Sequence, residues 1–387
     1  MRDILKNKTL VKLFIVYSLV STSANFQHPV TPDFLNNIGL EISLYGFLFA
    51  FMALGLSLAA PISGRLTDRM GTRWLLFSGL ISYGLFQTVF ALNTEIIGLT
   101  LARLGAGLSV AFVFPIMISY VVKVTSNKER STALAIVAGS QLLFVSVGYF
   151  VGGQLSLFFA PQTIFFLQTG VLWSVALVSL MLDNVKVILT KAPKLSLQIP
   201  LRGFYMIAMY FMVSAVVNTV IRYFDVYFID QGYDASQLGT FVLLTGILSV
   251  ATNFVILPLL VKYIKDYRLL QISILIISVS LIFTFQVITP FIVAIFTTHL
   301  LFMMTRSIYD PLHNSYISKL SKYQGQMIGM SESAKMMGMF IGPIVGGYLY
   351  AITPTLLFLI AAIVGLIAFG ISLFMNASPV TESMGEN

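Results

Sequence analysis

Residues 64–76 have the sequence GRLTDRMGTRWLL, a short charged stretch that separates two long apolar runs. Its two glycines favour tight turns, because glycine adopts backbone conformations that other residues avoid. Its aspartate lies among arginines and can pair with one of them or accept hydrogen bonds from the N-terminus of a neighbouring helix. An ordinary basic loop would explain the arginines but not the glycines or the aspartate. We therefore expect a loop that ties neighbouring helices together through Gly64, Asp68, Arg69, Gly71 and Arg73.

The sequence on either side of this stretch is apolar over almost the whole chain. Of the 387 residues, 57% are hydrophobic and 10% are charged, whereas soluble domains carry about 25% charged residues. Apolar runs of about 20 residues, enough to cross a bilayer as a helix, follow one another without the alternation of β-barrel strands. We predict an all-α integral membrane protein with twelve transmembrane helices, at residues 11–32, 43–63, 74–93, 97–122, 131–155, 160–182, 203–229, 236–260, 269–289, 291–318, 326–351 and 353–376.

The basic residues predict the orientation of these helices. With the N-terminus inside, the inner segments hold most of the lysines and arginines, and the outer loops hold none. This asymmetry places both termini in the cytoplasm. The formal net charge of +8 therefore reflects membrane topology, and we predict no nucleic-acid partner.

Several kinds of chemistry are not expected. The chain has no cysteine, which excludes disulfides and thiolate metal sites, and its scattered histidines predict no metal site. It has no G-x-x-x-x-G-K-[ST] motif for ATP, and no polar cluster suits catalysis, so we predict neither a cofactor nor enzyme activity. The first apolar run has no convincing cleavage site, and we expect it to remain as a helix.

A glycine-rich sequence occurs twice in the chain. SVGYFVGGQL at residues 146–155 recurs as FIGPIVGGYL at residues 340–349, near the ends of the fifth and eleventh predicted helices. Equivalent positions predict two six-helix repeats, the architecture of secondary transporters. Small residues four apart let helices pack closely in lipid, and a proline bends its helix. A packing seam and a shared hinge both remain open for Gly148, Gly152, Gly153, Gly338, Gly342, Pro343 and Gly346.

The longest polar interruption, at residues 183–202, separates the two repeats. Its lysines and prolines suit a cytoplasmic linker that lies on anionic lipid headgroups. The predicted organisation is an N-terminal six-helix bundle at 1–182, the linker at 183–202, and a C-terminal six-helix bundle with a short polar tail at 203–387.

The stretch at 64–76 resembles the signature of the major facilitator superfamily, G-x-L-a-D-r-x-G-r-k-x-x-l. The resemblance covers the whole chain through the twelve helices, the six-plus-six division and the basic linker. It implies a transporter that works by alternating access, with residues 64–76 as a gating loop on the cytoplasmic side. The matching positions are Gly64, Leu66, Asp68, Arg69, Gly71, Arg73 and Leu76.

More narrowly, the chain resembles the twelve-helix drug:proton antiporter branch of that family. The fourth helix matches its R-x-x-x-G pattern at Arg103 and Gly107. In the fifth helix, however, Tyr149 stands where that branch has a proline, and the proline form occurs at Pro343 in the eleventh helix. The first helix matches P-x-x-P-x-[FYL]-L at Pro29, Pro32, Phe34 and Leu35.

Ionisable residues inside predicted helices are costly in a membrane and by default mark function. Helices seven, ten and eleven each carry a base and an acid three or four positions apart, so that each pair lies on one face. These pairs are either self-neutralising structure or the lining of a shared cavity. The resemblance implies proton coupling through Arg103 acting on a carboxylate, for which Asp225 and Glu332 are preferred. The proton-coupling candidates are Arg103, Asp33, Asp225, Asp310 and Glu332.

The remaining polar residues in the helices are candidates for a substrate cavity, although each could instead bond to a neighbouring helix. The buried charges count four acids against four bases, a balance that suits zwitterionic or anionic compounds at least as well as cations. The cavity candidates are Asn25, Gln27, His28, Gln141, Arg222, Arg306 and Lys335.

Together these patterns predict a monomeric, multi-pass protein of a bacterial plasma membrane, with protons, lipids and a small molecule as its partners. The predicted function is proton-coupled export (antiport) of small amphipathic compounds or drugs. Two alternatives remain open: a carrier, in either direction, of a polar, anionic or zwitterionic metabolite such as a metal-chelating small molecule, and a lipid flippase.

Overall fold

The computed structural model describes residues 7–41, 43–125, 130–185, 201–317 and 324–374. These residues contain twelve helices long and apolar enough to cross a membrane, which confirms the predicted all-α fold. The orientation of the termini stays a prediction. We number the helices span 1 (Thr9–Asn37), span 2 (Leu44–Ser63), span 3 (Thr72–Leu92), span 4 (Ile96–Val121), span 5 (Ile136–Leu155), span 6 (Pro161–Ser179), span 7 (Leu201–Asp230), span 8 (Ala235–Tyr263), span 9 (Asp266–Val287), span 10 (Phe291–Ile317), span 11 (Met327–Ile352) and span 12 (Pro354–Ser372).

Several spans are interrupted or extended. Span 1 consists of an α-helix at Lys8–Ser23, a 3-10 turn at His28–Val30 and an α-helix at Thr31–Asn37, and span 4 is divided into Ile96–Val110 and Phe114–Val124. Spans 8, 9 and 10 contain π-helical turns at Thr252–Ile256, Phe283–Val287 and Ile295–His299. The α-helices of spans 2, 5 and 11 extend over Leu44–Met70, Arg130–Leu155 and Gln324–Ile352.

The break in span 1 follows from its two prolines. Pro29 is the second residue of the 3-10 turn, and Pro32 lies in the first turn of the helix that follows. Proline has no N–H to donate and cannot continue an α-helix from the preceding turn. Side chains from other spans bond to carbonyl groups at the break. Tyr83 donates to the Ala24 carbonyl at 3.2 Å, and Tyr45 donates at 3.4 Å to the His28 carbonyl, which also accepts from the Thr31 N–H.

The chain forms two compact units. Unit 1 comprises Met1–Ala192 and Phe228–Ile247, and unit 2 comprises Pro193–Tyr227 and Leu248–Asn387. The units therefore differ from the predicted six-helix bundles in residues 228–247, which pack on span 5: Gln154 Nε2 donates to Ser236 Oγ at 2.9 Å. Most of the predicted linker, residues 186–200, lies outside the described residues, as does the tail from residue 375.

The repeated glycines are contact points between helices inside each unit. In unit 1, a Cβ atom at Gly148 or Gly152 would clash with carbonyl oxygens of span 1. In unit 2, a Cβ atom at Gly342 would lie 2.6 Å from the Ala215 carbonyl oxygen of span 7, and one at Gly338 would lie 2.5 Å from the Phe211 carbonyl oxygen. The same motif thus joins span 5 to span 1 and span 11 to span 7.

Tyr149 and Pro343 occupy equivalent places in the two copies of the motif and have different surroundings. The buried ring of Tyr149 stacks on His28, with centroids 5.1 Å apart and planes inclined by 15°. The Pro343 carbonyl accepts a hydrogen bond from Tyr223 of span 7 at 3.2 Å. The tyrosine therefore covers the broken part of span 1 where the other copy carries a proline.

The prediction of a loop at 64–76 is wrong in part. The helix of span 2 continues to Met70, so Gly64 lies inside it, and Gly71 alone separates it from span 3. Gly71 has φ of +85°, and a Cβ atom there would clash with the side chain of Asn184. Glycine costs a helix only about 1 kcal/mol, which a long apolar helix in a membrane tolerates. The side chains of Asp68 and Arg69 lie outside the described residues.

The turn at Gly71 is held by residues that follow span 6. Asn184 Oδ1 accepts from the Arg73 N–H at 3.3 Å, and its Nδ2 donates to the Met70 carbonyl at 3.4 Å. The Thr72 N–H donates to the Val185 carbonyl at 3.1 Å. Residues 184–185 thus tie the end of the first six spans to the turn between spans 2 and 3.

Candidate functional site

Unit 1 contains a fully buried arginine held by glutamines, which we call the amide cluster (Arg103, Gln27, Gln87 and Gln168). All four side chains are 0% exposed. Arg103 Nη1 donates to Gln27 Oε1 at 2.9 Å and lies 3.5 Å from Gln87 Oε1. Four spans meet here, since Arg103 lies on span 4 and the glutamines lie on spans 1, 3 and 6.

The glutamines are fixed by one another and by the break in span 1. Gln87 Nε2 donates to Gln27 Oε1 at 2.6 Å, to Tyr83 Oη at 3.1 Å and to Gln168 Oε1 at 3.3 Å. Gln168 Nε2 donates to the Ser23 carbonyl at 2.8 Å. The cluster is therefore anchored to the unwound segment of span 1, and a movement of that segment would displace the acceptor of the arginine.

Two aromatic rings complete the surroundings of Arg103. Its guanidinium carbon lies 4.0 Å from the centroid of Phe90 and 4.9 Å from that of Phe49. A desolvated cation–π contact contributes about 2 kcal/mol, and a hydrogen bond to a charged group contributes about 1.5–3 kcal/mol. An arginine at the centre of a membrane helix costs about 3 kcal/mol on insertion scales. These contacts offset such a cost, and Arg103 carries its charge because a guanidinium is not deprotonated in proteins.

Gly107, the second residue of the R-x-x-x-G pattern, has a packing role. A Cβ atom there would clash with the Met52 carbonyl oxygen of span 2, and one at Gly55 of span 2 would lie 2.9 Å from the Leu108 nitrogen of span 4. Spans 2 and 4 are thus in backbone contact one turn beyond Arg103. This contact fixes the position of the arginine in the unit.

Unit 2 contains a different arrangement, which we call the ion cluster (Asp310, Glu332 and Lys335). Lys335 Nζ lies 2.7 Å from Asp310 Oδ2 and 3.9 Å from Glu332 Oε2. The side chains are 46%, 36% and 25% exposed for Asp310, Glu332 and Lys335 respectively. The cluster is therefore accessible, whereas the amide cluster is sealed.

Neighbouring polar and aromatic groups hold the two carboxylates. Tyr210 Oη of span 7 donates to Asp310 Oδ1 at 3.1 Å, and Asn314 Nδ2 donates to Glu332 Oε1 at 3.4 Å. The Lys335 ammonium lies 5.5 Å from the centroid of Tyr210. Asp310 thus has two short contacts, while Glu332 has two long ones.

A buried histidine supports the ring of Tyr210. The ring of His313 stacks on it with centroids 3.8 Å apart and planes inclined by 17°. His313 Nε2 shares a hydrogen bond of 2.6 Å with Ser331 Oγ of span 11. Spans 7, 10 and 11 therefore meet around the ion cluster.

The structure brings together some of the predicted residues and gives others a local role. Lys335 pairs with Asp310 of another span as well as with Glu332 of its own. Gln27 contacts Arg103, whereas Asn25 Nδ2 donates to the Ser21 carbonyl of its own helix at 2.7 Å. His28 is enclosed by the rings of Tyr149 and Phe49.

The other candidates lie on spans 1, 5, 7 and 10. Asp225 is buried on span 7, at 2% exposure, and Arg222 lies half-buried on the same span. Asp33, Gln141 and Arg306 are half-buried on spans 1, 5 and 10. Among the described residues, no group of three histidine, aspartate or glutamate side chains could hold a metal ion.

Sequence reasoning missed Gln87, Gln168 and Tyr210. The two glutamines carry a visible signal, since each stands alone in an apolar run, in GLFQTVF and FFLQTG. Tyr210 carries none, because tyrosines are frequent in this chain and only the packing of span 7 on span 10 reveals its partner.

Fold and site together define a helical membrane transporter with a sealed polar cluster in unit 1 and an accessible one in unit 2. The model of the Major Facilitator Superfamily matches residues 13–334. The chain belongs to this family.

Two curated relatives come from Bacillus subtilis (strain 168). Multidrug resistance protein 2 is 25% identical over 366 residues, covering 89% of each chain, and Multidrug resistance protein 1 is 25% identical over 381 residues, covering 95% of this chain and 96% of the relative. Among solved structures, a bacterial homolog of the human lysosomal transporter Spinster, inward-facing and occupied, superposes with a TM-score of 0.78 at 14% identity. That alignment covers 96% of this chain and 97% of the other, and it supports the fold alone.

Proposed function

We propose that this transporter is a proton-coupled exporter of small amphipathic compounds in a bacterial plasma membrane, working as a monomer by alternating access. The observation that carries the proposal is Arg103, an ionised side chain that is fully buried and bonded to the unwound part of span 1. The two Bacillus subtilis relatives of this chain are named multidrug resistance proteins, which supports export of drug-like compounds.

Arg103 supplies a permanent positive charge. The contacts of its side chain can change when a carboxylate is protonated. Its acceptor Gln27 lies directly before the 3-10 turn of span 1. A change in the hydrogen bonds of this segment alters the electrostatic potential at Arg103. No complete helix has to unfold for this change. Four acids on spans 1, 7, 10 and 11 are the candidates to carry the proton: Asp33, Asp225, Asp310 and Glu332.

The test uses purified protein in liposomes with an imposed pH gradient and a pH-sensitive dye inside. Adding a panel of amphipathic cations, zwitterions and anions should collapse the gradient for one class, and Arg103→Ala should abolish the effect. Flux of a labelled substrate without proton movement would contradict antiport and indicate uniport instead. Arg103→Lys is the matched variant, since it keeps a charge but loses the forked geometry.

We also propose that the charged stretch around Gly71 gates the cytoplasmic side. Asn184 and Val185 already tie this turn to the end of span 6, so motion of spans 2 and 3 is linked to motion of span 6. Asp68→Asn should leave insertion and folding intact yet slow transport. A wild-type transport rate in that variant would show that Asp68 has no role in gating.

One observation favours the flippase alternative. An apolar crevice of about 150 Å³ in unit 2 is lined by spans 7, 11 and 12, among them Phe211, Val345 and Leu357. A lipid chain suits such a lining, because every side chain but that of Thr219 is apolar. Scrambling of a fluorescent phospholipid by the reconstituted protein, in the absence of any other substrate, would favour this alternative over export.

A further inference from the structure

The ion cluster has a charge pattern that a single-charge ligand does not match. Asp310 and Lys335 form a hydrogen-bonded pair at 2.7 Å, and Glu332 lies 3.9 Å from the same ammonium. Arg306, which lies one turn before Asp310 on span 10, adds a second positive charge. The three residues of the ion cluster carry a formal charge of −1, and Arg306 brings the total to zero.

Each end of the pair is nevertheless accessible. The Asp310 side chain is 46% exposed and the Lys335 side chain is 25% exposed, so a ligand can reach both without unfolding the bundle. An exposed ion pair contributes only about 0–1 kcal/mol to stability. A ligand that offers both an anion and a cation can replace this pair while every charge keeps a partner.

The surroundings fix the position of the pair. The ring of Tyr210 lies under the Lys335 ammonium at 5.5 Å and is held by the stacked ring of His313. Tyr210 is 1% exposed, so it positions the two charges and offers no open face to a ligand. A lone anion on Lys335 would take from Asp310 its 2.7 Å partner, and a lone cation on Asp310 would leave Lys335 only the longer 3.9 Å contact with Glu332.

We propose that the Asp310–Lys335 pair sets the charge specificity of the transporter and selects zwitterions, whose anionic group binds Lys335 and whose ammonium binds Asp310. Glu332 then serves as the second acceptor for Lys335 while the pair is open. This inference deepens the proposed export function and rests on it for transport, but binding alone can test it.

The experiment measures binding of three fluorescent probes that share one ring system. A quinolone with a free piperazine is a zwitterion, its methyl ester is a cation, and its N-acetyl derivative is an anion. Because each charged contact is equivalent to roughly tenfold in affinity, the purified wild-type protein should bind the zwitterion about tenfold more tightly than either derivative.

Variants of the pair should invert this preference in opposite directions. Lys335→Gln should favour the ester, and Asp310→Asn should favour the N-acetyl derivative, each by roughly tenfold relative to the zwitterion. The charge-swapped protein with Asp310→Lys and Lys335→Asp should regain the preference for the zwitterion, which rules out general misfolding. Lys262→Gln, an exposed lysine at the end of span 8, is the matched control and should leave all three affinities unchanged.

The outcomes separate this inference from the proposed function. Flux of the probes with a charge preference that Lys335→Gln does not alter would overturn the specificity role and leave export standing. Binding that inverts as described, without flux in liposomes, would uphold the specificity role and overturn export. Failure of the folded wild-type protein to bind any of the three probes would overturn the inferred substrate class.

Discussion

The amide cluster of unit 1 and the ion cluster of unit 2 treat charge in opposite ways. In unit 1 a sealed arginine is stabilised by neutral amides and aromatic rings. In unit 2 an accessible lysine is stabilised by carboxylates at 2.7 and 3.9 Å. One charge is thus sealed from a ligand and the other is accessible to one. We propose that coupling is centred on Arg103 and that recognition is centred on the Asp310–Lys335 pair.

The largest expected effect comes from removing the sealed charge. Arg103→Ala should lower substrate-driven proton flux by roughly 100-fold, equivalent to about 2.8 kcal/mol, because Gln27 and Gln87 lose their cationic donor. Proton flux in liposomes measures it, with thermal unfolding in detergent as a check on folding. Proton flux that persists at the wild-type rate would break the assignment of coupling to unit 1.

Adding a side chain at the repeated glycines should destabilise both units to a similar extent, because the glycines of each unit lie against the backbone of a neighbouring helix. Gly148→Val and Gly342→Val should each destabilise the protein by about 1–3 kcal/mol through overpacking. Gly170→Val and Gly370→Val are the matched controls, since a Cβ atom at either position meets no atom within 4 Å. The measurement is the apparent melting temperature of the purified proteins.

An equal response of test and control positions would show that the glycines are not a packing seam. A normal melting temperature with slow transport would instead favour the hinge.

A polar-to-apolar change should cost more in the sealed cluster than in the accessible one. Gln87→Leu removes the donor to Gln168 Oε1 and one of the two donors to Gln27 Oε1 in a dry interior, at about 1–3 kcal/mol. Asn314→Leu removes one 3.4 Å contact to the part-exposed Glu332 and should cost less than about 1 kcal/mol. Comparable losses of thermal stability would contradict the contrast between a sealed and an accessible cluster.

The smallest effect is expected at the turn around Gly71. Asn184→Ala removes two hydrogen bonds that lie at the surface, and water can replace them, so the loss of stability should stay near 1 kcal/mol. The transport rate should fall more than stability does if the turn is part of the gate. An unchanged transport rate would show that the Asn184 contact only holds the turn in place.

The sequence permits prediction of the spans but not of their side-chain partners. Hydropathy alone locates span 3 at 74–93, against Thr72–Leu92 in the structure, because lipid demands a continuous apolar run. The intrahelical spacing of Glu332 and Lys335 is likewise visible in the sequence. The stronger contact of Lys335, with Asp310 on another span, depends on how three helices pack, and no local pattern encodes that.

The same limit explains the error at residues 64–76. Charges and glycines suggest a loop, but hydrogen bonding inside a membrane helix continues through Gly64 to Met70, and one residue with positive φ suffices for the turn. The partner of that turn, Asn184, is more than one hundred positions away in the chain. Its role became visible only from the hydrogen bonds at Met70 and Arg73.

The most direct test of the division between the units is a crossed measurement of proton flux in liposomes. The zwitterionic quinolone and its two derivatives would be added to wild type, Arg103→Lys and Lys335→Gln. We expect Arg103→Lys to lower proton flux for every compound without changing their order, and Lys335→Gln to change the order while keeping flux for the preferred compound. If both variants change the order, or both lower flux without changing it, coupling and recognition are not divided between the two clusters.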